Sequence, residues 1–276
     1  MKLHIVPART GAQWVREGIR LFFKQPLAFA SLLLSFILAT SVLSLLPMVG
    51  DALALALVPA GTVGLMAAGR EAGAGRFPMP ALLIVALRQS PAQTRAMLLL
   101  GALYAAAVLA IMALGTYLGG DQMMKLIEQN NGRLTPELMA DPAMQQAVRA
   151  AMRQMLLGSL LYLPVSVLFW HAPALVHWHG VPPAKALFFS AVGVLRNTGA
   201  YLIYGMGWLT VAMLGWMLLL MLAALLGNTR VAINGVFPVS LTVATMLAAS
   251  LWATFRDCFD TRSAPPASDL HDSRPA

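Results

Sequence analysis

Long stretches without a single charged residue set the terms for this chain. They run between Lys24 and Asp51, Asp51 and Arg70, Arg95 and Asp121, Arg153 and Lys185, Arg196 and Arg230, and Arg230 and Arg256. A bilayer core about 30 Å thick is crossed by about 20 helical residues, and each stretch holds a segment of roughly that length, at 27–46, 52–69, 96–118, 155–178, 201–226 and 231–255. Only 11% of the residues are charged and 59% are hydrophobic. A water-soluble domain carries about 25% charged residues, so lipid is the solvent this composition suits. The expected fold class is all-α, a polytopic membrane bundle of six transmembrane helices.

Orientation follows from the basic residues. An even number of spans puts both termini on one side, and of the 19 Lys and Arg residues only Lys125, Arg133, Arg149, Arg153 and Arg230 fall on the other. Asp121, Glu128, Glu137 and Asp141 offset the first four. Lys and Arg accumulate in cytoplasmic loops, so both termini are expected to be cytoplasmic. The net charge of +8 then matches an anionic leaflet rather than nucleic acid, because no basic face is left free of membrane. The basic region at the N-terminus runs to Lys24 and the apolar stretch beyond it is too long for a signal peptide, so a retained first span is expected.

A second regularity precedes the odd-numbered spans. Residues 14–25, 81–89 and 184–197 are apolar or amphipathic segments, each ending in a basic residue and an amide, Lys24-Gln25, Arg88-Gln89 and Arg196-Asn197. In the first, Trp14, Val15, Ile19, Phe22 and Phe23 share one helical face and Gln13, Arg16, Glu17, Arg20 and Lys24 the other. Such helices are expected to lie in the cytoplasmic interface, giving three interfacial amphipathic helices and a pseudo-threefold series of surface helix plus hairpin. Triplication and a shared solution to membrane entry both account for it. Thr10 with Gln13 reads as a capping box, and Pro80 and Pro183 suit a first helical turn. Arg16, Arg20, Lys24, Arg88 and Arg196 are the expected contacts to lipid headgroups.

Residues 1–260 read as a single integral membrane domain. Its external loop, 119–154, has helix starts at Thr135-Pro136 and Asp141-Pro142 and an apolar face that continues into the fourth span, which should project outward. The tail, 261–276, is Ser-, Pro-, Ala- and Asp-rich and is expected to be disordered and cytoplasmic.

Chemistry is sparse. His171, His177 and His179 are the only cluster with metal-ligand character, but His171 and His177 are poorly spaced for one helical face and no Asp, Glu or Cys accompanies them. An imidazole and aromatic belt at headgroup depth is the alternative. Met206, Met213, Met217 and Met221 could line a Cu(I) path or fill gaps between helices. The lone Cys258 excludes an intramolecular disulfide and reads as a spectator thiol. No ionisable residue lies at mid-span and no hydrolytic triad or HExxH spacing occurs. Pro59, Pro164, Pro173 and Pro238 could break spans and expose carbonyls, or be tolerated by neighbours. Stripes at Ala56, Ala60, Gly64 and Ala68, and at Ala102, Ala106 and Ala110, suit close helix contact.

The opening Val6-Pro7-Ala8-Arg9-Thr10-Gly11-Ala12-Gln13-Trp14-Val15, with Gly18, Leu21-Phe22 and Gln25-Pro26, together with the run from Ala172 through His177-Trp178-His179-Gly180 to Ser190, resembles a family of uncharacterised proteobacterial inner-membrane proteins. That resemblance spans the chain from the N-terminus through the sixth helix and implies no activity, cofactor or site residue. A looser likeness, in surface helices leading into hairpins, is to the membrane domains attached to some glycerophosphodiester phosphodiesterases, and it brings no catalytic residues. The expectation is a non-enzymatic membrane protein that organises membrane, contacts anionic lipid or assembles partners, without a cofactor. A membrane-protein partner or a second copy of the chain is the open protein contact. A small-solute carrier or channel is the alternative, to be promoted by a polar mid-span cavity lined by Thr62, Ser166 or Asn234. An intramembrane enzyme comes third and would require His171 and Asp51 to converge.

Overall fold

A computed structural model describes residues 2–118, 121–133 and 135–259, so the expected tail at 261–276 lies outside the described residues. The chain opens with helix α1 (Thr10–Lys24), which stops because Pro26 has no N–H to continue the ladder. The Gln25 N–H closes α1 on the Leu21 and Phe22 carbonyls, and α2 (Pro26–Ser44) begins at once. A tight turn leads to α3 (Gly50–Gly73). Met48 there adopts a left-handed conformation at φ 65°, and the Val49 N–H donates to the Pro47 carbonyl at 2.8 Å.

A 3-10 helix (Pro80–Leu87) follows, then α4 (Pro91–Tyr117), started by the Ser90 hydroxyl accepting from the Gln93 N–H. The loop beyond it contains α5 (Gln122–Gln129) and α6 (Pro136–Ala140). Helix α7 (Pro142–Phe169) extends from that loop through the bundle, capped by the Asp141 carboxylate, which accepts from the Ala143 N–H at 2.7 Å. Both expected starts, Thr135-Pro136 and Asp141-Pro142, are helix starts here. Short α8 (Ala172–His179), α9 (Pro183–Arg196), α10 (Thr198–Leu225) and α11 (Thr229–Cys258) complete the chain. Six helical segments are long and apolar enough to cross a membrane, the fourth formed by α7 and α8 together. The start of the described chain returns to the end of α11: the His4 N–H donates to the Cys258 carbonyl at 2.9 Å, and Leu3 forms an isolated β-bridge with Phe259.

Helix α3 is the hub, touching α2, α4, α8, α11 and the 3-10 helix. Small residues permit this: a Cβ at Gly64 would sit 2.7 Å from the Leu82 carbonyl oxygen. The other expected stripe does not pack, because Ala102, Ala106 and Ala110 are exposed. On α4 the contact face is Met97, Gly101, Tyr104 and Ala105, with Gly101 pressed against the Ala56 carbonyl.

The three surface segments are unlike one another. Helix α1 packs against α10 and α11, which bury Trp14, Val15, Leu21 and Phe22, so most of the face expected to lie in lipid meets protein. Polar bonds tie it to α11 as well: from the buried face Trp14 Nε1–H donates to Asp257 at 2.9 Å, and on the polar face Glu17 accepts a fork from Arg256 at 2.9 and 3.1 Å. The middle segment is 3-10 rather than α. The expected capping box is also absent, because Thr10 is already helical and the N-cap is Arg9, with no side-chain cap bond.

Candidate functional site

The described residues arrange their polar groups in three places: a kink in the fourth span, a pocket at mid-span, and an exposed set of cations. The kink lies between α7 and α8. In an unbroken helix the His171 N–H would donate to the Val167 carbonyl. Here the Ser190 hydroxyl of α9 stands between them, accepting from the His171 N–H at 2.9 Å and donating to the Val167 carbonyl at 3.0 Å. Pro173, without an N–H, ensures that the ladder does not close behind it.

The kink turns His171 inward. Its ring is 0% exposed, packs on Phe255 and Phe259, and its Nε2 meets the Tyr201 hydroxyl. That hydroxyl lies 3.8 Å from Cys258 Sγ, so the thiol is part of a buried polar chain rather than a bystander. His177 is 5% exposed, with Nε2 3.4 Å from Gln89 Nε2 and its carbonyl accepting from Gln93 at 3.3 Å. His179 is half-buried beside Phe255. A headgroup-depth histidine belt is therefore replaced by histidines packed between helices, because the kink rotates them into the protein. Among the described residues no three His, Cys, Asp or Glu side chains form a metal-holding group, so His171, His177 and His179 are not brought together as ligands.

The methionines point the other way. Met206, Met213, Met217 and Met221 are each about 60% exposed or more, facing outward from α10 instead of filling gaps between helices. Asp51 is exposed in the first turn of α3, while His171 is enclosed against Phe255 and Phe259 at the end of α11. The two do not converge.

At mid-span α3, α4, α7, the start of α8 and α11 bound a pocket of about 210 Å³. Thr62, Tyr104, Tyr162 and Ser166 supply its hydroxyls, and Pro59, Phe169, Trp170 and Pro173 form much of the remaining wall. The Tyr104 and Tyr162 hydroxyls are 2.9 Å apart. Thr62 donates to the Val58 carbonyl at 2.9 Å and Ser166 to the Leu163 carbonyl at 2.7 Å, while Trp170 Nε1–H donates to Thr254 at 3.3 Å. Two of the three hydroxyl or amide residues foreseen for such a cavity are present. The third, Asn234, is exposed elsewhere. The tyrosine pair was legible as two phenols inside uncharged spans, which usually find a partner, but their pairing depends on helix placement.

The cations form the third set. Arg16, Arg20, Lys24, Arg88 and Arg196 are all exposed, and none is in an ion pair among the described residues. Arg76 behaves differently: it forks onto Glu71, the second contact at 3.1 Å, and that bond raises its pKa above the usual arginine value.

No family model and no solved structure matches the chain. A probable inner membrane protein of Burkholderia thailandensis is 40% identical over 263 residues, covering 94% of each chain. With that identity along nearly the whole length of both proteins, and six helices able to span a bilayer, the chain belongs to the same family of polytopic inner-membrane proteins.

Proposed function

We propose that this is a non-enzymatic lipid-contacting protein of the inner membrane, with both termini cytoplasmic, whose exposed cations hold anionic phospholipid around a rigid helical bundle. The observation that carries the reading is the state of Arg16, Arg20, Lys24, Arg88 and Arg196, exposed and outside every ion pair among the described residues. Exposed apolar side chains neighbour them: Phe23 beside Lys24 and Leu195 beside Arg196. A basic group over an apolar one suits the boundary between headgroups and acyl chains. Each such cation is worth about 1 kcal/mol near an anionic surface, enough in combination to select lipids.

The test is lipid retention by the full chain, purified in mild detergent and analysed by mass spectrometry. Gln at all five positions should lower retained anionic phospholipid about tenfold or more and leave zwitterionic lipid unchanged. Equal retention of anionic lipid by a well-folded variant would sink the proposal.

A second reading, small-solute carriage, is favoured by the mid-span pocket with Thr62 and Ser166 in its wall. Flux across vesicles reconstituted with the protein, read with a panel of metals and osmolytes, decides it: substrate-dependent flux promotes the carrier, and its absence alongside selective lipid retention retires it.

A further inference from the structure

The hydroxyls of the mid-span pocket differ in what they have left to give. The protons of Thr62 and Ser166 are engaged by carbonyls of their own helices, and the Trp170 N–H by Thr254. Tyr104 and Tyr162 share one hydrogen bond between two O–H groups. Whichever tyrosine donates, the other keeps an O–H with no acceptor among the described residues. An idle donor in an apolar setting is tolerated less well than an idle acceptor lone pair, so this one unengaged O–H is the group of the wall that most wants a partner.

The rest of the wall narrows the complement. No Asp, Glu, Lys, Arg or His lines the pocket, so a charged ligand would meet no counter-charge at a depth where charge is costly. Its volume of about 210 Å³ falls below the roughly 300 to 1,000 Å³ of pockets that enclose drug-sized ligands. A ring or a short stretch of chain fits, and the remainder must lie outside. Tyr162 is 41% exposed and Met155, one heptad earlier on the same face of α7, is 73% exposed, so the opening faces the surface that acyl chains would cover.

We propose that the pocket bounded by Thr62, Tyr104, Tyr162, Ser166 and Trp170 binds a neutral membrane-soluble molecule through a carbonyl oxygen, which accepts the unused O–H of the tyrosine pair. A quinone ring and an acyl ester share that chemistry. The site stands apart from the exposed cations, so its occupancy does not depend on the headgroup reading.

The experiment uses the full chain in phosphatidylcholine nanodiscs and measures saturable, protein-dependent retention of three labelled probes: decylbenzoquinone, methyl laurate and dodecane. A carbonyl probe should be retained about tenfold more tightly than dodecane, and which carbonyl probe is held identifies the source. Tyr104→Phe and Tyr162→Phe alone should each keep that advantage, because the remaining phenol still has a free O–H. The double variant should lose it and retain the carbonyl probe no better than dodecane. Ser166→Leu should fill the space and abolish saturable retention of all three. The five-position Gln variant should bind as the parent does. Equal retention of carbonyl probe and dodecane by the unmodified protein, an unchanged advantage in the double variant, or no saturable retention of either carbonyl probe would each overturn the proposal.

Discussion

Helices α3 and α10 are both apolar enough to span a bilayer, with mean hydropathies of 1.8 and 2.2, yet 61% of the α3 span is buried and only 11% of the α10 span. The difference is side-chain size. Helix α3 presents Ala60, Gly61, Gly64, Ala67, Ala68 and Gly69, all buried, while α10 carries Leu202, Leu209, Met213, Met217, Leu220 and Met221, all exposed. Lipid tails are as apolar as leucine, so hydrophobicity does not draw one span against another. Close van der Waals contact does, and small residues permit it.

Changes that alter size without altering polarity break this comparison most directly. Gly64→Leu should have the largest effect, because even a Cβ would lie 2.7 Å from the Leu82 oxygen and the Leu83 Cα. A loss of about 3 kcal/mol is expected for such overpacking, read as a large fall in Tm in detergent. Replacing Ser190 by Ala comes next: it strips the bridge between the His171 N–H and the Val167 carbonyl and should cost about 2 kcal/mol. A Tm unchanged by Ser190→Ala would mean that the kink stands without the bridge. Trp14→Phe removes the indole bond to Asp257 and leaves a small void beside Tyr201 and Tyr204, so it should lower stability by about 1.5 kcal/mol, with α1 becoming more accessible to proteolysis near Arg16. At the outward face of α10, Met213→Leu with Met217→Leu should stay within about 0.5 kcal/mol of the parent, and a larger loss would show that this face has a protein partner.

The smallest effect belongs to the loop beyond α4. Lys125 bonds to Asp121 at 2.6 Å, and that hydrogen bond holds the Asp121 carboxyl below its usual value. A carboxylate depressed in the folded state stabilises above its unfolded pKa, and that contribution is lost as pH falls through the folded pKa. Protection of the α5 amides, taken relative to their intrinsic exchange rate at each pH, should therefore fall on acidification through the carboxylate range. Asp121→Asn should remove that pH dependence.

Much of the architecture was legible because its signals are local. Uncharged length marked six spans, and proline after Thr135 and Asp141 marked the helix starts in the loop. The alanine stripe at Ala102, Ala106 and Ala110 misled, since the same spacing fits a face toward lipid. The histidines misled for a related reason: Trp and His at a span end suit an interface, and nothing near them in the chain announces that Ser190, far along on α9, enters the fourth span and turns His171 inward. Helix α5 was missed because eight residues are too few for a span signal and no proline marks its start.

By itself, the sequence determined which segments leave water and how many there are, because transfer of a long uncharged helix into lipid depends on that helix alone. Only the tertiary structure decided which face of each helix meets protein and which is left outward, and hence where Tyr104 finds Tyr162, how Tyr201 joins His171 to Cys258, and why the Met213 row stays outside. Lipid and the protein interior are equally apolar, so that choice rests on shape and hydrogen-bond partners from distant parts of the chain.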